Sequence, residues 1–245
     1  MKYGIISDIH GNLPAYEAVM QNLSDLHVNK ILCLGDIVGY GASPREILQD
    51  ILSRENFIAI GGNHDRQVLG DEDPHMRRTA VMALRWTRDQ LPIHLAKRLI
   101  ELPQGLLVDD ALLMVHGSLV ERDAYILSSV EVQRNMAAMH TQFPDIRICL
   151  FGHTHIPMLI GRQSIISDLK RTRSFQLNPK DTYLINPGAV GQPRDRCPLA
   201  SFAVLDLERY IITYYRIPYD VERAQELIRL NGLPDRFASR LSTGI

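Results

Sequence analysis

The sequence predicts an α/β protein in which two facing mixed β-sheets are flanked by helices, an αββα sandwich. Two observations carry that reading. The first half of the chain alternates brief apolar runs with stretches of helical periodicity, and after Gly152 the pattern becomes mostly strand. Strand, helix, strand, helix, strand implies right-handed crossovers and a parallel sheet. The 245 residues, 45% hydrophobic and 22% charged, can bury a large core. No internal repeat, low-complexity tract or composition break interrupts them, so one domain over residues 1–245 is expected.

Taken in order, Tyr3 to Ser7, Ile31 to Gly35 and Phe57 to Ile60 are brief and rich in Ile, Leu and Val, as buried strands should be. Between them, Leu13 to Leu23 and Pro44 to Ser53 carry apolar residues at helical spacing. Pro14 and Pro44 stand near the helix starts, where a missing N–H costs nothing. A helical insert follows at about 70–104. Met76, Ala80, Leu84, Thr87 and Leu91 share one face of it, while Arg77, Arg78, Arg85 and Arg88 fall largely off that face and read as solvated. Leu106 to Val108 and Leu112 to Val115, split by Asp109-Asp110, predict a hairpin. A helix over Val130 to His140 precedes a strand at Ile148 to Phe151. Five further strands are expected: Met158 to Ile160, Phe175 to Leu177, Tyr183 to Ile185, Ser201 to Leu207 and Tyr210 to Ile217. A last helix, Val221 to Leu230, stops at Asn231-Gly232.

Composition narrows the function. A formal net charge of −1 gives no overall basic field, so nucleic acid is not an obligate partner. Met1-Lys2 leads straight into Tyr3-Gly4-Ile5-Ile6, which does not read as a signal peptide. No stretch approaches the ~18 to 20 apolar residues that would span a bilayer, so no membrane association is expected. The three cysteines show no metal-like spacing, and Cys33 and Cys149 sit inside apolar runs as buried strand residues. A reducing cytoplasm is the expected compartment.

The chemistry gathers in five short segments: Asp8-Ile9-His10, Gly35-Asp36, Gly62-Asn63-His64-Asp65, His116-Gly117 and Gly152-His153-Thr154-His155. Each follows an apolar run, which places its polar residues at a strand's carboxyl end, the edge where open α/β sheets bind ligands. Five of the nine histidines lie in them. In His153-Thr154-His155, alternate residues on extended backbone point the same way and can chelate neighbouring metals. Neutral imidazoles with carboxylates and an amide oxygen suit Mn²⁺, Fe, Ni²⁺, Zn²⁺ or Mg²⁺, and the lack of a cysteine ligand excludes a structural zinc knuckle or an iron–sulfur cluster.

These five segments resemble, in order, the D-x-H, GD, GNH-(D/E), H and GHxH motifs of the calcineurin-like metallophosphoesterases. Gly35 to Gly41 and Asn186 to Asp195 are similar to segments of the small bacterial and archaeal phosphodiesterase-like branch. The resemblance covers Asp8 to Asp195 and is specific for fold and metal site, much less so for substrate. It implies two divalent cations, manganese foremost, with a bridging hydroxide that attacks phosphorus. By the family pattern Asp8, His10, Asp36 and His155 hold one cation. Asp36, Asn63, His116 and His153 hold the other, with Asp36 between them. His64 becomes the proton donor to the leaving oxygen, and Asp65 either orients His64 or caps the helix that follows.

Departures from the pattern bear on substrate. Where protein Ser/Thr phosphatases read GDxVDRG, with an Asp pairing the catalytic His and an Arg gripping phosphate, this chain has Gly39 and Tyr40. Tyr40 either packs or stacks on a substrate base. Arg194 and Arg196, in a glycine loop that departs from its usual continuation, and Arg66, after the third motif, are candidate phosphate contacts. The expectation is a phosphoesterase acting on a small phosphodiester or nucleotide polyphosphate. The alternatives are a phosphomonoesterase or protein phosphatase, disfavoured at Gly39 and Tyr40, and a non-catalytic scaffold, disfavoured by the complete ligand set.

Overall fold

Lys2–Ile6 (β1), Lys30–Cys33 (β2) and Phe57–Ala59 (β3) are the apolar runs of the first half, and they pair in parallel in a computed structural model that describes residues 1–70, 76–162 and 164–245. Helices Leu13–Asp25 (α1) and Pro44–Ser53 (α2) make the crossovers. α1 starts where the Asn12 side chain accepts the Ala15 N–H at 3.3 Å, with Pro14 in the first turn. Two antiparallel strands from the far end of the chain, Ala200–Asp206 (β11) and Ile211–Ile217 (β12), complete this sheet with Arg173–Gln176 (β9), in the order β3-β2-β1-β11-β12-β9.

The second sheet runs Gly105–Val108 (β4), Leu112–Val115 (β5), Ile148–Leu150 (β6), Tyr183–Asn186 (β10), Met158–Ile160 (β7) and Ile165–Ile166 (β8). The two sheets face each other across an apolar layer that includes Ile5, Leu32, Leu34, Met114, Leu150, Ile185 and Tyr214. On the outside of the first sheet, α1 and α2 bury Val19, Leu23, Ile47 and Leu48. Helix Ser129–Gln142 (α6) covers the second sheet with Met139. It begins in a capping box in which Ser128 and Glu131 satisfy each other's backbone N–H. At one end of the sandwich, Tyr3 Oη donates to Asp109 Oδ2 at 2.7 Å and Lys30 Nζ pairs with Asp109 Oδ1 at 2.7 Å, which ties β1 and β2 to the β4–β5 turn.

The expected helical insert is two helices, Arg78–Gln90 (α4) and Ile93–Ile100 (α5), and its segment 71–75 lies outside the described residues. Pro92 causes the break. It forces Leu91 into extended backbone (φ −92°, ψ 122°), so a continuous helix is impossible there. Ala80, Leu84, Thr87 and Leu91 are buried as the spacing predicts. Elements the sequence pattern misses are short: Asn63–Gln67 (α3), β8, Asp235–Ser239 (α8) and the 3₁₀ turn Arg240–Ser242. Helix Val221–Leu230 (α7) packs with α8 on α4, joining Ala224, Ile228 and Phe237 to Ala83. No helix among the described residues is long and apolar enough to cross a membrane.

Candidate metal centre

All the motif residues emerge at one edge of the sandwich. Asp8 and His10 follow β1, Asp36 follows β2, and Asn63 and His64 open α3 after β3. His116 follows β5, and His153 and His155 follow β6, so both sheets contribute. Asp8, His10, Asp36, His153 and His155 all have φ between +49° and +65°. This left-handed backbone is costly for residues with a Cβ and persists where surrounding structure fixes it. Here the loops fix one another: Asp8 N–H donates to Gly35 O at 3.0 Å and His10 N–H to Asp36 O at 2.9 Å. Gly62 is required, because a Cβ there would come within 2.1 Å of Asp36 Oδ1.

The donor atoms form two overlapping groups, Asp8, His10, Asp36 and His155, and Asp36, His116 and His153, each within 4.8 Å of one another. Asn63 Oδ1 lies 3.2 Å from His116 Nε2 and adds an amide oxygen to the second group. The imidazole tautomers test whether cations fit. His10 Nδ1 donates to Val38 O at 3.0 Å and His155 Nδ1 to Gln192 O at 2.6 Å, which leaves both Nε2 atoms bare in their neutral rings. Those atoms face each other at 3.2 Å. Likewise His116 Nδ1 donates to Leu34 O at 2.7 Å and His153 Nε2 to Asp123 O at 2.9 Å, while His116 Nε2 and His153 Nδ1 stand 3.2 Å apart. At His10 and His155 two lone pairs thus converge, and they repel unless a cation lies between them. Asp8 Oδ1 is buried with no hydrogen-bond partner, another donor awaiting one. The residues fit divalent metal, each ring held by a backbone carbonyl behind it.

Without metal, electrostatics divide these residues, leaving His10, His153 and His155 neutral while His116 takes up a proton. Burial drives the Asp8 carboxyl up to about 7, with His116 opposing and Asp36 adding to the rise. Burial also pushes Asp36 up, but the surrounding His116, His64 and His10 hold it well below the ordinary carboxylate range. For His116 burial lowers the pKa, and the Asp36 carboxylate overcomes this and raises it to about 9. Desolvation keeps His10 and His155 well below 6.5 and brings His153 to about 4, so these three are neutral and ready to bind metal.

His64 stands beside this centre. Its Nε2 is 3.1 Å from Tyr40 Oη, and its Nδ1 is buried without a partner. Gly39, at φ +91°, passes so close that a Cβ would come within 2.4 Å of that nitrogen. Tyr40 packs on Phe237 at 4.7 Å between ring centroids and on His10 at 4.5 Å. Three sequence expectations need correction. Asp65 does not orient His64: its carboxylate accepts the N–H groups of Gly62, Ile37 and Val38 at 2.9 to 3.1 Å, and so caps α3 and clamps the loop carrying Asp36. Arg66 does not reach into the cleft, because its guanidinium is engaged by the Asp123 carboxylate at 2.5 Å and by Gln104 at 2.9 Å. Arg196 is exposed, takes left-handed backbone (φ 61°) and is absent from the cleft lining.

Arg194, in contrast, lines the cleft of about 490 Å³ over the centre, together with Tyr40 and His64. The sequence reading missed other walls. Tyr125 stacks on His153 at 4.3 Å, and Phe237, Arg77, Arg236 and Arg240 enclose the opposite side. Arg77 had read as part of a solvated helix face. The other residues lie in no motif, and only the packing of α7 and α8 on α4 brings the C-terminal ones here.

The chain is similar to known proteins in sequence and fold. Residues 1–210 match the calcineurin-like phosphoesterase superfamily domain. An uncharacterized protein of Methanocaldococcus jannaschii is 32% identical, over 98% of this chain and 97% of its own. Phosphodiesterase YfcE of Escherichia coli strain K12 is 26% identical, over 84% of this chain and 88% of its own. The crystal structure of a metallophosphoesterase from Sphaerobacter thermophilus superposes with a TM-score of 0.87 at 32% identity, all of each chain being covered. With its two mixed sheets, its buried ligand groups and these relatives, the chain belongs to the calcineurin-like phosphoesterase superfamily and is a metal-dependent phosphoesterase.

Proposed function

We propose that the protein hydrolyses phosphodiester or nucleotide polyphosphate bonds with two divalent cations, manganese foremost. The observation carrying this reading is the pair of ligand groups sharing Asp36, set beside His64 at the floor of an aromatic-walled cleft. Asp8, His10, Asp36 and His155 would hold one cation, and Asp36, Asn63, His116 and His153 the other. When bound, such a pair supplies an activated water and neutralises charge on phosphate oxygens. His64 donates a proton from Nε2 to the leaving oxygen, and Tyr40 Oη holds that ring edge toward the cleft. Nothing braces Nδ1 from behind, because Gly39 stands where a carboxylate would have to be.

A diester carries one negative charge, and its second arm needs room and an apolar wall, which Tyr40, Tyr125 and Phe237 provide. Its three cysteines are buried and unpaired, which suits a reducing compartment such as the cytoplasm. With Mn²⁺ supplied, bis(p-nitrophenyl) phosphate is turned over with a higher kcat/KM than p-nitrophenyl phosphate, and folded phosphoproteins are not substrates. A clear monoester preference that collapses in Arg194→Ala would reverse the diester reading and put Arg194 in the phosphate grip.

A further inference from the structure

Most of the arginines with resolved side-chain partners answer to a carboxylate. Arg54 pairs with Asp50, Arg66 with Asp123, Arg216 with Asp195, Arg223 with Glu226 and Arg229 with Asp235. The four that line the cleft do not. Among the described residues no Asp or Glu side chain pairs with Arg77, Arg194, Arg236 or Arg240. Arg194 Nη2 and Arg240 Nη1 instead donate to one and the same neutral acceptor, Gln192 Oε1, each at 3.1 Å. Arg194 Nε is buried without a hydrogen-bond partner among the described residues. Arg240 Nε donates to the backbone oxygen of Ile245, and among the described residues Arg236 reaches Thr79 Oγ1, at 3.5 Å.

Two part-buried guanidinium groups sharing one neutral acceptor, with two more lining the same cleft, repel one another, a cost that an anion offsets. Burial foremost, then the nearby Arg194, Arg236 and Arg77, bring the pKa of Arg240 down to about 10. Arginine forks match phosphate oxygens bidentately, and the ligand carboxylates of the metal centre are already committed on the cleft floor. Arg236 and Arg240 come from α8 and the 3₁₀ turn, beyond residues 1–210 that match the common domain, and Arg77 precedes α4 in the helical insert.

We infer that Arg77, Arg194, Arg236 and Arg240 form a second anion subsite that takes a phosphate joined to the scissile one, so that the substrate is an organic pyrophosphate or polyphosphate ester. This rests on the phosphoesterase reading above and selects, within it, the polyphosphate over the plain diester. Arg194 sits between the metal centre and the C-terminal arginines and would contact both phosphates. Tyr40 and Phe237 then face the organic group attached to them.

The experiment compares adenosine 5′-monophosphate with α,β-methylene adenosine 5′-diphosphate, by calorimetric Kd on the manganese-loaded protein with free Mn²⁺ held saturating. The two differ by one phosphate. The diphosphate analogue should bind roughly tenfold tighter or more, as one additional charge-assisted contact gives. Arg77→Gln with Arg236→Gln changes two exposed side chains, and Arg240→Gln independently changes a half-buried one. In each, monophosphate binding persists while the advantage of the diphosphate shrinks. Equal affinities in the parent protein, or an advantage that survives both variants, would overturn the subsite. Absence of diester turnover in the parent protein would instead sink the proposed function while leaving the two binding constants to judge the arginines.

Discussion

Nε2 of His64 lies 3.1 Å from the hydroxyl oxygen of Tyr40, while Nδ1 of the same ring is buried with no hydrogen-bond partner. A histidine held by one edge only, and outside both ligand groups, is suited to proton transfer rather than to metal binding. His64→Ala should therefore retain the metal content of the parent protein and slow turnover by roughly 10²- to 10⁴-fold, the loss usual for a general acid. Substrates with very good leaving groups should suffer less. Equal losses for good and poor leaving groups would assign His64 to phosphate binding.

The two ligand groups make separable predictions about occupancy. Asp36 belongs to both, so Asp36→Asn should lower metal content and activity together. His116 belongs to one, so His116→Ala should empty that site preferentially. Elemental analysis of the purified variants reads this directly, and unchanged metal content in both would show the assignment to be wrong.

Arg66 acts at a distance from substrate. It fixes the Asp123 carboxylate at 2.5 Å, and the Asp123 carbonyl accepts the Nε2–H of His153 at 2.9 Å. Arg66→Ala should loosen that carbonyl and cost roughly 10- to 100-fold in metal affinity, with Arg66→Lys recovering part of it. Activity at saturating metal should change far less than the midpoint of a metal titration. A reduced kcat at saturation with an unmoved midpoint would place Arg66 at the substrate instead.

A fourth prediction concerns pH and the metal-free protein. The Asp36 carboxylate, outweighing burial, raises the pKa of His116 from 6.5 to about 9, so folding favours its protonated form. A raised folded pKa stabilises fully below the unfolded value and loses that contribution as pH climbs through the folded one. Asp8, raised to about 7, acts with the same sign at lower pH. Between about pH 7 and 8, before thiols of the unfolded chain ionise appreciably, the unfolding temperature of chelated protein should fall as pH rises. His116→Gln should flatten that slope. A temperature that rises over this interval would contradict the assignment.

Much of this was legible in the sequence, for reasons the structure makes concrete. Strands such as Met158–Ile160 and helices such as Pro44–Ser53 and Val221–Leu230 fall where period and capping place them. Asp8, Asp36 and His116 are readable because each leaves a strand directly, and the strand fixes where the next residue emerges. The insert was legible as helical, and its division into two helices follows from Pro92, which holds Leu91 in extended backbone. Asp65 and Arg66 follow the third motif, but their partners, the Ile37 and Val38 amides and Asp123, lie 27 to 57 residues away. Arg236, Phe237 and Arg240 carry no local signal, since only helix packing carries them to the cleft.

The residues that could hold metal come from both layers of the sandwich: Asp8, His10, Asp36 and Asn63 from the first sheet, His116, His153 and His155 from the second. At the far end, Asp109 already fastens the layers together through Tyr3 and Lys30. Cations held there would act as a rivet at the catalytic end, opposite the hydrogen-bonded fastening. Chelation would withdraw the rivet and leave that fastening. The machinery for cleaving phosphate is in this way also the fastening that keeps its own two halves in register.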